Sequence, residues 1–341
     1  MNSITSKSIL FVLILLALSL QACGPIATKA PEATPEPIHL KVMVLPYLSF
    51  APFYIAQEEG YFAEQGLEVA FIRMNDTSES IAALIRGDLD ISSGTIEIST
   101  LNAIAKGANI KYVADKGYLD PSQCDYVTWV ANNELVSSGK LSDLKNVAGL
   151  KVSFSPVSTE GYLFDALVKD AGLTSADVEA MELDPPTRQE SLANGALDIA
   201  LVAEPWLTRA QNLGAVIWKS PKEYLPYFPF SLIFYGPSIL DKNPEAGKRF
   251  MVAYLKGVKQ YSQGKTDRII EIIAKNTQLA PDDIKSFCWQ TIKPDGSVDL
   301  QQIIEFQQWA IGKGYLEEAL TEDQLWDPQF IEYANKVLQG P

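Results

Sequence analysis

Gly87-Asp88-Leu89-Asp90-Ile91 is answered later in the chain by Gly195-Ala196-Leu197-Asp198-Ile199, and this echo points to the fold. Each copy follows a helix-forming segment, led by Glu79-Ser80 in the first case and Glu190-Ser191 in the second. The glycine stands where a helix end favours a left-handed residue. Leu-Asp-Ile then enters a short apolar run of strand length. Around the first copy, strand candidates at 40–45, 67–72, 89–92 and 110–114 alternate with helical stretches at 53–65, 78–86 and 96–106, the first broken near Gly60. Around the second copy the same grammar restarts, with strands at 151–154, 178–183 and 197–202 and helices at 161–171, 187–193 and 204–212. Thr187 with Glu190 has the spacing of a capping box and predicts a helix start there. Strands alternating with helices predict βαβ units, so the expected class is α/β: two similar lobes, each a mostly parallel sheet flanked by helices.

The lobes are expected at 39–125 with 228–341 (lobe I) and at 126–227 (lobe II), with crossovers near 117–132 and 224–234. From Asn243-Pro244, a cap followed by proline at the first helical position, the chain reads mainly helical. Met251, Tyr254, Leu255 and Val258 fall on one helix face, and Pro294-Asp295-Gly296 is a turn.

Residues 1–22 read as a secretory leader: Lys7, then an apolar stretch over 8–20 that is short for a membrane span. Leu20-Gln21-Ala22-Cys23 resembles the bacterial lipobox, which implies lipidation at Cys23 and an extracytoplasmic protein anchored to the cell membrane. Residues 23–38, with Pro25, Pro31, Pro35 and Pro37, read as an extended linker.

The 341 residues carry a net charge of −14, and no basic cluster interrupts the acidity, so no nucleic-acid partner is expected. The single histidine, His39, excludes His-based triads and His-rich metal sites. There is no CxxC, P-loop or G-x-G-x-x-G, so the reading assigns no catalytic residues, metal or cofactor. Glu58-Glu59 and Asp282-Asp283 read as solvated faces or caps, and Asn75-Asp76-Thr77, a sequon match, reads as a loop. Cys124 and Cys288 are free to form a disulfide in an oxidising compartment; two buried thiols fit the sequence equally well.

Ligands of open α/β sheets bind beyond the carboxyl ends of the strands. That places the candidates on strand-end loops facing an interlobe cleft. They are Tyr47, Phe50, Phe53, Asn75, Thr77, Ser93 and Thr95 from the first lobe, and Ser158, Thr159, Arg188, Glu204 and Trp206 from the second. The hydroxyl residues suit an anion or a carbonyl, or are plain helix caps. Arg188 suits an acidic group or is a surface residue on a first helical turn. The aromatic density of the first loop favours a planar or partly apolar solute over a small inorganic anion.

Ala51-Pro52-Phe53-Tyr54-Ile55-Ala56-Gln57-Glu58-Glu59-Gly60-Tyr61-Phe62, followed by Gln65-Gly66-Leu67-Glu68-Val69, closely resembles the opening of solute-binding proteins of ABC importers. The subgroup is the one handling nitrate, taurine, alkanesulfonates and the thiamine pyrimidine precursor. Glu204-Pro205-Trp206, Asn243-Pro244-Glu245 and Pro294-Asp295-Gly296 fall in order along the same pattern. The resemblance implies a two-lobed periplasmic-binding-protein-like fold of type II, a monomer working with an ABC permease and ATPase, and no enzymatic activity. A heteroaromatic nutrient, thiamine-pyrimidine or riboflavin-like, is the expected ligand, and an organosulfonate, taurine or nitrate the alternative. From another class, a pyrimidine-synthase-like enzyme shares the fold, but its chemistry depends on histidine. A sensory domain reporting occupancy to a receptor also fits the sequence.

Overall fold

The computed structural model describes residues 36–74 and 77–340. The leader, Cys23, most of the linker and Asn75 lie outside the described residues. Among the described residues, ten strands form two five-stranded sheets of matching order. The first joins β1 (Ile38–Val44), β2 (Leu67–Arg73), β3 (Ile91–Gly94), β4 (Lys111–Gly117) and β10 (Ser231–Tyr235) in the order β2-β1-β3-β10-β4. The second joins β5 (Val127–Ala131), β6 (Lys151–Ser153), β7 (Glu179–Met181), β8 (Ile199–Ala203) and β9 (Val216–Lys219) in the order β7-β6-β8-β5-β9.

In both sheets the fourth position is held by the strand that has just arrived from the other lobe, and it runs antiparallel to its neighbours. The sheets are therefore mixed. β5 and β10 lie inside the segments expected to be plain crossovers. Every residue of both strands is buried, so neither shows the alternation that marks a half-exposed strand. The actual crossovers are shorter, 118–126 and 220–230. They bond to each other through Leu119 N to Phe228 O (3.0 Å) and Tyr227 N to Leu119 O (2.7 Å).

The repeated Gly-x-Leu-Asp-Ile acts as a register lock. Gly87 and Gly195 end their helices at φ +77° and +76°, which a glycine adopts without strain. Leu89 and Leu197 are each 1% exposed. The aspartate then ties its strand to the parallel neighbour in its own sheet, β1 for β3 and β6 for β8. Asp90 N donates to Lys41 O at 3.0 Å, while Asp90 Oδ2 accepts from Lys41 N at 2.7 Å. Asp198 repeats both bonds with Lys151, at 3.0 and 2.9 Å.

Several helices start and stop as their sequence chemistry dictates. The helix expected to break near Gly60 does so: Ala51–Glu58 and Tyr61–Glu64 flank that left-handed glycine. Asn243 caps Pro244–Tyr261 by accepting from Ala246 N at 3.1 Å, and Met251, Tyr254, Leu255 and Val258 are its buried face. The expected box at Thr187 is displaced. Asp184 is the cap, accepting from Thr187 N at 2.8 Å, and Pro185-Pro186 open the helix Pro185–Ala193. Glu58 and Glu59 are not merely solvated: they pair with Lys275 (2.6 Å) and Arg268 (2.7 Å) on the helix Asp267–Thr277.

Candidate functional site

Between the two sheets lies a cavity of about 450 Å³, lined from both sides by strand-end loops. The lobes touch around it. Thr159 Oγ1 donates to Ile96 O across the cleft at 2.7 Å, and Glu97 and Ser158 form an isolated antiparallel bridge. Cys288 N donates to Glu204 Oε1 at 3.3 Å. These contacts join elements of different lobes, so the structure is a closed arrangement.

Eight of the twelve residues expected on sequence grounds line this cavity: Tyr47, Phe50, Thr77, Thr95, Ser158, Arg188, Glu204 and Trp206. Four do not. Phe53 is fully buried in edge-to-face contact with Phe250 and Tyr254 and belongs to the core, because its helix turns that face inward. Ser93 is fully buried in β3, away from the cavity wall. Thr159 bridges the lobes as described. Asn75 lies outside the described residues. Ser158 also behaves as a helix cap: its hydroxyl accepts from Glu160 N (3.1 Å) and donates to Ser155 O (2.9 Å).

Arg188 is neither a free anion receptor nor a surface residue. It meets Glu160 with a two-point grip, Nη1 to Oε1 at 3.0 Å and Nη2 to Oε2 at 2.8 Å. It also donates to Leu183 O and Leu201 O. Burial opposes its charge, but Glu160 more than compensates and its pKa stays above the ordinary value.

Lys116 was missed by the sequence reading. It comes from the buried strand β4, is 1% exposed, and lines the cavity. Its ammonium donates to Ser49 Oγ at 2.8 Å and sits 3.8 Å above the Phe50 ring. Burial lowers its pKa to about 7, against the pull of Asp115. Asp115-Lys116 closes an apolar run, a pattern that ordinarily marks a strand's exit into solvent and so gave no signal of a buried lysine. Glu97, Glu160, Glu182, Tyr126 and Gln290 were missed as well, since they converge from five separate segments.

The charge balance of the wall is acidic. Glu97, Glu160, Glu182, Asp184 and Glu204 face Lys116 and Arg188, and both cations already have partners inside the protein. Burial raises the Glu204 pKa, against the bonds it accepts from Thr208 and from Cys288 N. Trp206 opens its short helix at the cavity edge, with the Arg209 guanidinium 4.9 Å from its ring. Such a wall suits a flat solute with hydrogen-bond donors better than a bare anion. His39, the single histidine, is outside it, on the exposed start of β1 beside Glu68.

Two lobes of equal strand order closing on a lined cleft define the fold of periplasmic binding proteins. The chain belongs to the NMT1/THI5-like family, whose model matches residues 48–263. Among relatives, 4-amino-5-hydroxymethyl-2-methylpyrimidine phosphate synthase of Aspergillus parasiticus is 32% identical over 132 residues, 38% of this chain and 35% of that protein. The riboflavin-binding protein RibY of Chloroflexus aurantiacus is 23% identical over 245 residues, 70% of this chain and 66% of its own. The chain thus spans about a third of the first relative and just under two thirds of the second. The periplasmic nitrate-binding protein NrtA from Synechocystis superposes with a TM-score of 0.72 at 16% identity, covering 90% of each chain. At that identity the likeness concerns the fold alone.

Proposed function

We propose that this protein is the solute-binding component of an ABC-type importer. In this reading it is held outside the cytoplasm by a lipid on Cys23, and it carries a heteroaromatic nutrient in the interlobe cleft. The observation that carries the ligand class is the wall itself: Phe50 and Trp206 among five carboxylates, with both cations engaged internally. The volume supports it. A cavity of about 450 Å³ is of the size that holds drug-sized molecules. A nitrate occupies roughly the space of one or two waters, at about 30 Å³ each, and would leave most of it wet. The riboflavin-binding relative is consistent with this reading, and the nitrate-binding neighbour is the argument for the alternative. The synthase relative raises an enzyme as the reading from another class. His39 lies away from the cleft, which leaves histidine-dependent chemistry without its group there. One fold serves unrelated functions, so the site has to decide.

The test is a binding titration of the purified chain with riboflavin, 4-amino-5-hydroxymethyl-2-methylpyrimidine, taurine and nitrate. One of the two heterocycles should bind and raise the melting temperature, and Trp206→Ala should weaken it about ten- to hundredfold. Tight binding of taurine or nitrate, indifferent to Trp206→Ala, would establish the anion alternative. Turnover of a bound pyrimidine would establish the enzyme. In cells, Cys23→Ala should move the protein out of the membrane fraction.

A further inference from the structure

Cys124 and Cys288 form a disulfide, with their Cα atoms 5.8 Å apart. Each stands two residues before a polar side chain on the cavity wall: Tyr126 after the first, Gln290 after the second. Both side chains are 6% exposed. They face each other, and the Gln290 carboxamide acts on the Tyr126 hydroxyl as a donor would, but among the described residues neither Tyr126 Oη nor Gln290 Nε2 completes a hydrogen bond of proper geometry. Their backbones, by contrast, are held. Tyr126 O accepts from Glu204 N at 2.8 Å, and Gln290 O accepts from the Tyr261 hydroxyl at 2.9 Å. Gly117 leaves the space the carboxamide needs: a Cβ there would lie 1.6 Å from Gln290 Nε2. Folded proteins leave few buried polar groups unpaired, and an unpaired group on a cavity wall is explained most simply by a partner that enters the cavity.

Resting on the cleft reading above, we propose that Tyr126 and Gln290 form a two-donor clamp for an acceptor on the edge of the bound solute, a ring carbonyl or ring nitrogen. The Cys124–Cys288 bond holds its two jaws together. The clamp belongs to the crossover and the C-terminal segment rather than to the strand-end loops of either lobe. It therefore reads the part of the solute that points toward the hinge. Cys124 and Cys288 are positioning residues: their bond acts by fixing the two segments that carry the donors.

The test compares Tyr126→Phe, Gln290→Leu and Cys124→Ser/Cys288→Ser with the wild-type full chain. Each protein is titrated with riboflavin, 4-amino-5-hydroxymethyl-2-methylpyrimidine, taurine and nitrate, and melted without additive. Tyr126→Phe and Gln290→Leu should each weaken the probe that binds about three- to tenfold, the value of a neutral hydrogen bond. Their empty proteins should melt no lower than wild type, because an unpaired buried group has been removed. The double serine variant should weaken the same probe and also melt lower. Wild-type affinity in Tyr126→Phe and Gln290→Leu overturns the clamp, and so does a lower melting temperature in those empty variants, which would make both groups structural. If only taurine or nitrate binds and the two variants weaken it alike, the two donors hold an acid oxygen instead, and both the ring-acceptor clamp and the heterocycle reading fall; if a heterocycle binds and the variants do not weaken it, the clamp alone falls. If none of the four probes binds the wild type, both fall.

Discussion

Asp115 and Lys116 are adjacent in β4 and fully or almost fully buried, yet they serve different surroundings. Lys116 faces the cavity. Asp115 Oδ2 accepts from Lys293 N at 2.8 Å, while its Oδ1 has no partner among the described residues. Burial raises the Asp115 pKa to about 7. The sign follows from linkage. The folded chain holds this proton more tightly than the unfolded chain does, so the stability Asp115 supplies is present at low pH. It is lost as pH rises from the ordinary carboxylate range, near about 4, through about 7. Asp115→Asn keeps an acceptor for Lys293 N and removes the ionisation. It should stabilise the protein by roughly 1–3 kcal/mol at pH 8 and be close to neutral at pH 5. Urea unfolding at the two pH values checks this; a variant equally or more destabilised at pH 8 than at pH 5 contradicts it. Neither residue's burial was legible in the sequence. Charges at the end of an apolar run usually mark its exit into solvent; here tertiary packing covers them, with Tyr254 and the 290–296 segment against Asp115 and with Ser49 and Phe50 against Lys116.

At the scale of the element, the Asp of Gly-x-Leu-Asp-Ile locks β3 to β1 and β8 to β6. Asp90→Ala and Asp198→Ala each leave one strand N–H without its side-chain acceptor. Each should cost about 1–2 kcal/mol in denaturant unfolding, and the two costs should agree within about 1 kcal/mol because the geometry is the same. A neutral effect at either site would show that the backbone ladder alone holds the register. This element was legible because its chemistry is local: glycine, apolar residue, aspartate and strand entry lie within five positions. β5 and β10 were not, although they occupy equivalent places. Their residues are buried on both faces, so the pattern lacks the alternation that separates a strand from a plain apolar connection. The Thr187 box failed for another local reason. Asp184 before two prolines is the stronger start, and it moves the helix two residues upstream.

At the scale of the molecule, the lobes are latched at a second place away from the cavity. Asp165 of the helix Thr159–Val168 accepts from Trp309 Nε1 at 2.7 Å and pairs with Lys313 Nζ at 2.6 Å, both on the C-terminal side of the chain. Tyr162 packs its ring against Phe228, Phe306 and Trp309 beside it. Breaking a fully buried ion pair from one side costs about 3–5 kcal/mol; Lys313 is partly exposed, so the cost here is smaller, and closure carries a part of it. Asp165→Ala should therefore destabilise the fold and shift the empty protein toward an open form with a larger radius of gyration. A saturating ligand that touches both lobes should restore the wild-type value. Small-angle scattering decides. A radius of gyration unchanged by the substitution, with and without ligand, would mean that these contacts do not control closure.

Local residue patterns sufficed for the alternation of strand and helix, the duplication into two lobes and the starts of the well-capped helices. Each of these depends on neighbours within one or two turns of chain. The same patterns also placed most of the cleft loops, because strand ends in such sheets face one way. Tertiary structure alone decided which loop residues reach the cavity. Phe53 and Phe50 lie three positions apart in one aromatic run, yet one is core and the other wall. It decided that Arg188 is spoken for by Glu160, 28 residues earlier, and that Cys124 meets Cys288 across 164 residues. It placed Lys116, Tyr126 and Gln290 around one space. Contacts made by segments far apart in the chain depend on how the lobes pack and close, and no local pattern of residues encodes that distance.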